Sequence, residues 1–214
     1  MKIAIIGSGH IGGVVGKLLA RAGHQVLFSS RHPESLNDLV AASGPKASRG
    51  SIDAALAFGD VFLISIPYGS LHEFGKNYAA KLKGKVVLET GNPYPERDGV
   101  IARQVIDSGL GTGHWSAQWV PGARLVRAFN SVWDRTLARE AHRTPPRVGI
   151  PLAGDDPEAM DVAAALVRDA GFDPVLVGPL ARAREFDVGT AVYNTNMSGP
   201  EVRTKLGLPQ AAVG

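Results

Sequence analysis

The stretch Lys2-Ile3-Ala4-Ile5-Ile6-Gly7-Ser8-Gly9-His10-Ile11-Gly12 decides the fold. A short apolar run ends in a glycine-rich turn. Ile11, Val14, Val15, Leu18, Leu19 and Ala22 then recur at helical spacing as far as Gly23, which suits a helix C-cap. Gln25 to Phe28 read as a second strand. Strand, GxGxxG turn, helix and strand in this order open a dinucleotide-binding βαβ unit. Gly7 makes the tight turn, Gly9 lets the backbone approach a pyrophosphate, and Gly12 lets the helix lie close to the sheet. Ser8, His10 and Ile11 complete the loop, whose free N–H groups face the anion. The alternative is an ordinary glycine-rich turn, or a loop serving a different nucleotide.

The end of the second strand selects the cofactor. An NAD site places Asp or Glu about twenty residues past the loop, to accept hydrogen bonds from the ribose 2′-hydroxyl. This chain reads Phe28-Ser29-Ser30-Arg31-His32 there, with no acid. Ser30 can donate a hydrogen bond to a 2′-phosphate, and the Arg31 guanidinium can fork onto its oxygens and stack on adenine, with His32 beside them. NADP(H) is therefore expected over NAD(H). Read otherwise, Arg31 is a solvated surface charge.

A chain of 214 residues, 44% apolar and 20% charged, holds one α/β domain and a small extension. It has no cysteine, which removes disulfides, thiolate metal sites, iron–sulfur clusters and a cysteine nucleophile together. No apolar run reaches the length of a membrane span, and no cleavage-site pattern follows the first strand, so a cytoplasmic protein is expected. A net charge of +3 without a basic tail gives no support to nucleic-acid binding.

Further along, Ser51 to Phe58 read as a crossover helix and Val61 to Ile66 as a continuous apolar strand stopped by Pro67. Strand ends on the carboxyl side border the ligand crevice, so Ile66, Pro67 and Tyr68 are candidates to touch the cofactor, Ile66 and Pro67 as an apolar wall for nicotinamide. On spacing alone, a strand that merely ends at proline explains them equally well. Helix Leu71 to Leu82, strand Lys85 to Thr90, helix Val100 to Ile106, a short helix His114 to Trp119 and strand Arg124 to Phe129 follow. With a weak third strand near Ala47, six alternating strands make a Rossmann doubly wound parallel sheet. From Trp133 to Arg147 the chain is basic and irregular, read as a boundary with a solvated face. It divides a dinucleotide-binding domain, 1–141, from a small C-terminal α/β extension, 142–214. That extension reads as a strand to Ala153, a helix capped by Asp156-Pro157-Glu158, a strand Pro174 to Val177, and a segment Leu180 to Val192 that begins as a helix. A polar loop Tyr193 to Pro200, a short helix and a frayed tail close the chain.

HExxH, GxSxG, GxxxxGK[ST] and a metal-ligand cluster are all missing. His114, beside Trp115, is the general-acid candidate, and Trp115, Trp119 and Trp133 read as core or interface packing. Hydride transfer between two carriers needs few catalytic side chains, because the carriers do the chemistry and the protein aligns them and excludes water. A good NADP site without acid–base machinery fits such a reductase, and equally a non-catalytic NADP(H) sensor.

Gly7-Ser8-Gly9-His10-Ile11-Gly12, Ser30-Arg31, Ser65-Ile66-Pro67, Gly154-Asp155-Asp156 and Val177-Gly178-Pro179-Leu180-Ala181-Arg182-Ala183-Arg184 together resemble the NADP-dependent reductases of the deazaflavin coenzyme F420. These are related to the N-terminal domain of pyrroline-5-carboxylate reductases. The resemblance implies a phosphate loop at Ser8 to Ile11, the 2′-phosphate at Ser30 and Arg31, nicotinamide at Ile66 and Pro67, and neighbouring loop contacts at Asn92 and Asn130. It further implies hydride passage between nicotinamide and a stacked deazaflavin (F420) or flavin co-substrate, a homodimer, and a second ligand near Gly178-Pro179-Leu180. A stacking slot between Pro67, Tyr68, Asn92 and the C-terminal segment is then expected. The chain departs from the family at Tyr193-Asn194-Thr195-Asn196-Met197-Ser198-Gly199-Pro200. Flavin, quinone, metal chelate and imine therefore stay open beside deazaflavin as the small-molecule hydride acceptor.

Overall fold

Residues alternate faces along a strand, so Ile3 and Ile5 of β1 (Lys2–Ile6) enter one core while Ala4 and Ile6 enter the other. The structure is a computed structural model that describes residues 1–210. The other strands are β2 (Gln25–Ser29), β3 (Ala47–Gly50), β4 (Val61–Ile64), β5 (Val86–Glu89), β6 (Arg124–Arg127), β7 (Gly149–Gly154) and β8 (Asp173–Gly178). They form one sheet in the order β3-β2-β1-β4-β5-β6-β7-β8. The first six are parallel and reverse direction of winding at β1, which opens a crevice at its carboxyl end.

Helices cover both faces. One core lies under α1 (His10–Arg21), α7 (Asp134–Glu140) and α8 (Pro157–Asp169), the other under α3 (Ile52–Phe58), α4 (Leu71–Leu82) and α6 (Gly111–Trp119). The remaining helices are α2 (Asn37–Ser43), α5 (Pro95–Asp107) and α9 (Gly199–Lys205). Helix α5 starts five residues before the expected Val100, with non-helical backbone at Gly99 inside it, because Pro95 is suited to a first helical position. The segment from Leu180 to Phe186 is a 3₁₀ helix followed by turns, shorter than the helical reading of the sequence. The expected frayed tail falls at 211–214, outside the described residues.

The chain after the basic stretch does not fold apart. Strand β7 pairs antiparallel with β6, through Val126 opposite Gly154 and Arg127 opposite Ala153, and β8 runs parallel to β7. Within the basic stretch Arg139 and Arg143 both pair with Glu140, a local cluster in which Arg139 is exposed and the other two are half-buried. No helix among the described residues is long and apolar enough to cross a membrane.

The Gly154-Asp155-Asp156 motif has a structural role. The Asp155 carboxylate accepts the Leu180 N–H at 2.8 Å, clasping the Gly178-Pro179-Leu180 turn, and Asp156 caps α8 through the Ala159 N–H at 2.9 Å. Asp156 also receives the Arg124 guanidinium in a fork, with both contacts at 2.7 Å. The fork and the cap hold its carboxyl at about 2, below the unfolded range. The unfolded chain binds this proton more readily, so the contribution is complete above about pH 4 and disappears as pH falls through the folded value. Thermal melts between neutral and strongly acidic pH should therefore show a steeper acid loss in wild type than in Asp156→Asn, which keeps a cap but cannot titrate; parallel curves would contradict the assignment.

Candidate active site

The turn after β1 is fixed by close backbone approach. Gly7 has φ +92°, and a Cβ there would stand 2.5 Å from the Ser65 carbonyl oxygen; one on Gly12 would run into the Gly7 carbonyl. Gly9 differs, since nothing lies within 4 Å of a Cβ placed there. It is also the N-cap of α1, with no side-chain cap, so the first N–H groups of that helix open onto this space. An uncapped helix start beside an open glycine fits a pyrophosphate.

The neighbouring residues divide into braces and free groups. The Ser8 hydroxyl donates to the Ser29 carbonyl at 3.1 Å, so it ties the turn to β2. His10 is exposed and its Nδ1 lies 3.1 Å from Asp134 at the start of α7, while Ile11 packs against the core. Ser30 accepts the His32 N–H at 3.0 Å, which leaves its own hydroxyl proton for a ligand. Arg31 is exposed and makes no hydrogen bond or ion pair with the described residues, and His32 stands 3.5 Å from Glu34.

At the end of β4, Pro67 is exposed and Ile66 half-buried, beside Gly7. Tyr68 does not join them. It is fully buried, its hydroxyl donates to the Thr112 carbonyl at 2.7 Å, and its ring packs on Trp119. Burial, with the Glu89 charge beside it, pushes the Tyr68 hydroxyl far above its usual range, so it stays a neutral donor. A slot lined by Tyr68 is thus corrected to one without it.

Asn92 and Asn130, expected as loop contacts of the cofactor, are both buried and bond each other. The Asn92 amide donates to the Asn130 carbonyl at 2.8 Å, and the Asn130 amide donates to Asn92 Oδ1 and to the Phe186 carbonyl, both at 3.3 Å. Asn130 Oδ1 is buried with no partner among the described residues. Its predecessor Phe129 has φ +58°, a strained setting for a bulky residue that turns the chain from β6 to aim Asn130 inward.

Tyr94 and Tyr193 were not anticipated. Their hydroxyls hydrogen-bond each other, and Asn92 Nδ2 lies 3.5 Å from Tyr193 Oη. The Asn194 N–H donates to the Ser131 carbonyl at 2.7 Å, holding this C-terminal segment over the strand ends. The segment where the chain departs from the deazaflavin reductases therefore lies at the site. Nothing in the spacing of residues 94 and 193 announces the pairing. A cleft of about 330 Å³ opens beside Pro93, lined by Val105, Thr112, Arg184, Asp187 and Val188.

Beneath these loops Glu89 and Arg127 form an ion pair, both fully buried. They face each other across β5 and β6. Glu89 also accepts from Gly91 N–H at 2.5 Å and Ser116 at 2.9 Å, while Arg127 donates to the Gly91 carbonyl at 2.7 Å and lies 3.7 Å from Asp187. Burial pushes the Glu89 carboxyl upward, against the pull of Arg127. A detectable signal existed: opposite charges close two adjacent apolar strands. By contrast His114 is exposed on α6, edge-on to Trp115, and no hydrogen bond or ion pair joins it to the strand ends. Trp119 is core, whereas Trp133 is 60% exposed, so the core reading fails for it.

Fold and crevice define the class, a Rossmann-like α/β fold. Residues 2–93 match the family described as NADP oxidoreductase, coenzyme F420-dependent. The metalloreductase STEAP3 of Rattus norvegicus is 27% identical over 195 residues, which make up 87% of this chain and 36% of that protein. The chain thus spans about a third of the length of this curated relative. A hypothetical protein of Sinorhizobium meliloti superposes with TM-score 0.80 at 25% identity, covering 92% of this chain and 95% of that one. A candidate F420-dependent NADP reductase of Arthrobacter sp. FB24 gives 0.74 at 20%, over 92% and 99% of the two chains, a likeness of fold. An imine reductase of Bacillus cereus gives 0.63 at 18%, over 86% and 57%.

Two outcomes follow. Gly9→Ala should fold with an unchanged melting temperature yet bind NADPH at least about tenfold more weakly, about 1.4 kcal/mol, whereas Gly12→Ala should lose stability as well; calorimetry and fluorescence titration separate the two. Glu89→Gln should cost about 3–5 kcal/mol in denaturant unfolding, and Glu89→Leu with Arg127→Met should recover most of it, because the loss comes from an unpaired buried charge.

Proposed function

We propose that the protein is an NADPH-dependent reductase that passes a hydride from nicotinamide to a deazaflavin or flavin-like acceptor. The observation that carries the reading is the end of β2, where the free Ser30 hydroxyl and unpartnered Arg31 stand without an acid, next to the open Gly9 turn. Those groups suit a 2′-phosphate and a pyrophosphate on one molecule. The match of residues 2–93 to a family of NADP oxidoreductases supports the same cofactor.

Ser8 to Ile11 would hold the pyrophosphate, Ser30 and Arg31 the 2′-phosphate, and Ile66 with Pro67 would flank the nicotinamide. The bound cofactor supplies a hydride. The chain's own contribution is alignment: Gly7 and Gly12 fix the turn, and the Glu89–Arg127 pair anchors the loop that carries Asn92. The cleft beside Pro93 has the volume for a planar ring system. A metal chelate as acceptor is the second reading, and rests on the metalloreductase relative.

NADPH oxidation by the purified protein should be rapid with F420 or FMN and slow with NADH as donor. Tight NADPH binding without oxidation by F420, FMN, riboflavin, a quinone or a ferric chelate would favour a sensor and overturn the reading. Arg31→Ala should weaken NADPH by about 1–3 kcal/mol and leave NADH almost unchanged; equal losses would refute the 2′-phosphate assignment.

A further inference from the structure

We infer that the hydrogen-bonded pair of Tyr94 and Tyr193 donates the proton that completes acceptor reduction, and that the acceptor is a conjugated imine- or carbonyl-type molecule taking hydride on carbon and a proton on nitrogen or oxygen. This deepens the reductase reading above and rests on it.

The count of protons at the pair carries the argument. Two phenols bring two O–H protons, and their mutual hydrogen bond uses one. The other neighbour of the Tyr193 oxygen, Asn92 Nδ2, is a donor. One phenolic proton therefore has no acceptor among the described residues, and both rings are only partly buried, within reach of a ligand. Asn130 Oδ1 is the complementary orphan in the same cluster, a buried acceptor lacking a donor.

The Arg97 guanidinium lies over the Tyr94 ring, 5.0 Å from its centroid, donates to the Asn92 carbonyl at 2.7 Å and forks onto Asp98 at 2.9 and 2.7 Å, which fixes it against the pair. Burial, the Tyr94 hydrogen bond and charge, and the Asp187 charge keep Tyr193 protonated at neutral pH, with Arg97 opposing them. Asn194 has φ +61°, a left-handed setting that asparagine tolerates, and this bend presents Tyr193 to the loop.

The balance is that of a two-electron reduction. The acceptor carbon takes the hydride that NADPH supplies, giving NADP⁺. The π pair of its C=N or C=O bond moves to the heteroatom. That atom bonds the proton as the phenol O–H breaks, and the pair is re-protonated from water. A metal chelate takes electrons alone and would leave the phenols without a task.

The test uses the full chain with Tyr193→Phe and Tyr94→Phe. NADPH affinity is titrated by fluorescence, and single-turnover reduction is followed with F420 and a ferric chelate. Tyr193→Phe and Tyr94→Phe should each slow reduction of F420 about 10²–10⁴-fold, with NADPH affinity within about twofold. In cofactor-free protein, phenolate absorbance during an alkaline titration should lose one late-ionising group in Tyr193→Phe. An organic-acceptor rate within about threefold of wild type would overturn the proposal. So would a rate loss matched by an equal loss of NADPH affinity, which marks Tyr193 as a positioning residue, or a wild type that reduces only the ferric chelate. Failure of wild type to bind NADPH would refute the reductase reading itself.

Discussion

The buried pair of Glu89 and Arg127 is the constraint on which the site depends. Two unit charges with no solvent exposure are tolerated only because each is closely partnered: Glu89 by Arg127, Gly91 and Ser116, and the two Arg127 terminal nitrogens by Glu89 and the Gly91 carbonyl, with Arg127 Nε left without a partner among the described residues. Those contacts fix the backbone at Gly91, and with it the entry of Asn92 into the crevice. The same network reaches Asp187, which accepts the Thr112 N–H at 2.9 Å and its hydroxyl at 2.6 Å. The turns after β8 are thereby tied to α6 and to the parallel sheet, so the C-terminal chain that ends in Tyr193 is positioned by charge as well as by packing.

Two edges of the crevice are built by different physics. At the β1 side the fixing is steric, with Gly7 and Gly12 packed so closely against neighbouring backbone that side chains are excluded. The geometry left over is a bare helix start, which needs no side chain to bind an anion. At the β5 and β6 side the fixing is polar, through paired asparagines, paired tyrosines and the left-handed turns at Phe129 and Asn194. Strained backbone of about 1–3 kcal/mol per residue persists where the surrounding contacts over-determine it, and here it lies at the strand ends.

Much of the first edge was legible in the chain, because its determinants are local. GxGxxG, the helical spacing to Gly23 and the absent acid after β2 all lie within one βαβ unit, and the structure places them together. The second edge was not. Asn92 and Asn130 came from a resemblance, and Tyr94 and Tyr193 stand 99 residues apart, so no spacing rule connects them. Tyr68 misled for the opposite reason: a tyrosine after a strand end looks available, and only the packing of α6 shows it buried. The extension after residue 142 looked separable because a basic irregular stretch precedes it, yet β7 found the open edge of β6.

Period and punctuation determined by themselves that this chain makes a doubly wound α/β sheet with a dinucleotide turn at its head. Those signals act over a few residues, through alternation of faces and the backbone needs of glycine and proline. Only the tertiary structure decided the second edge of the crevice. Which charges share one burial site, which phenols meet and which amide oxygen is left without a donor depend on strands adjacent in space and distant in sequence. Desolvation, which makes those pairings obligatory, exists only once the core has closed.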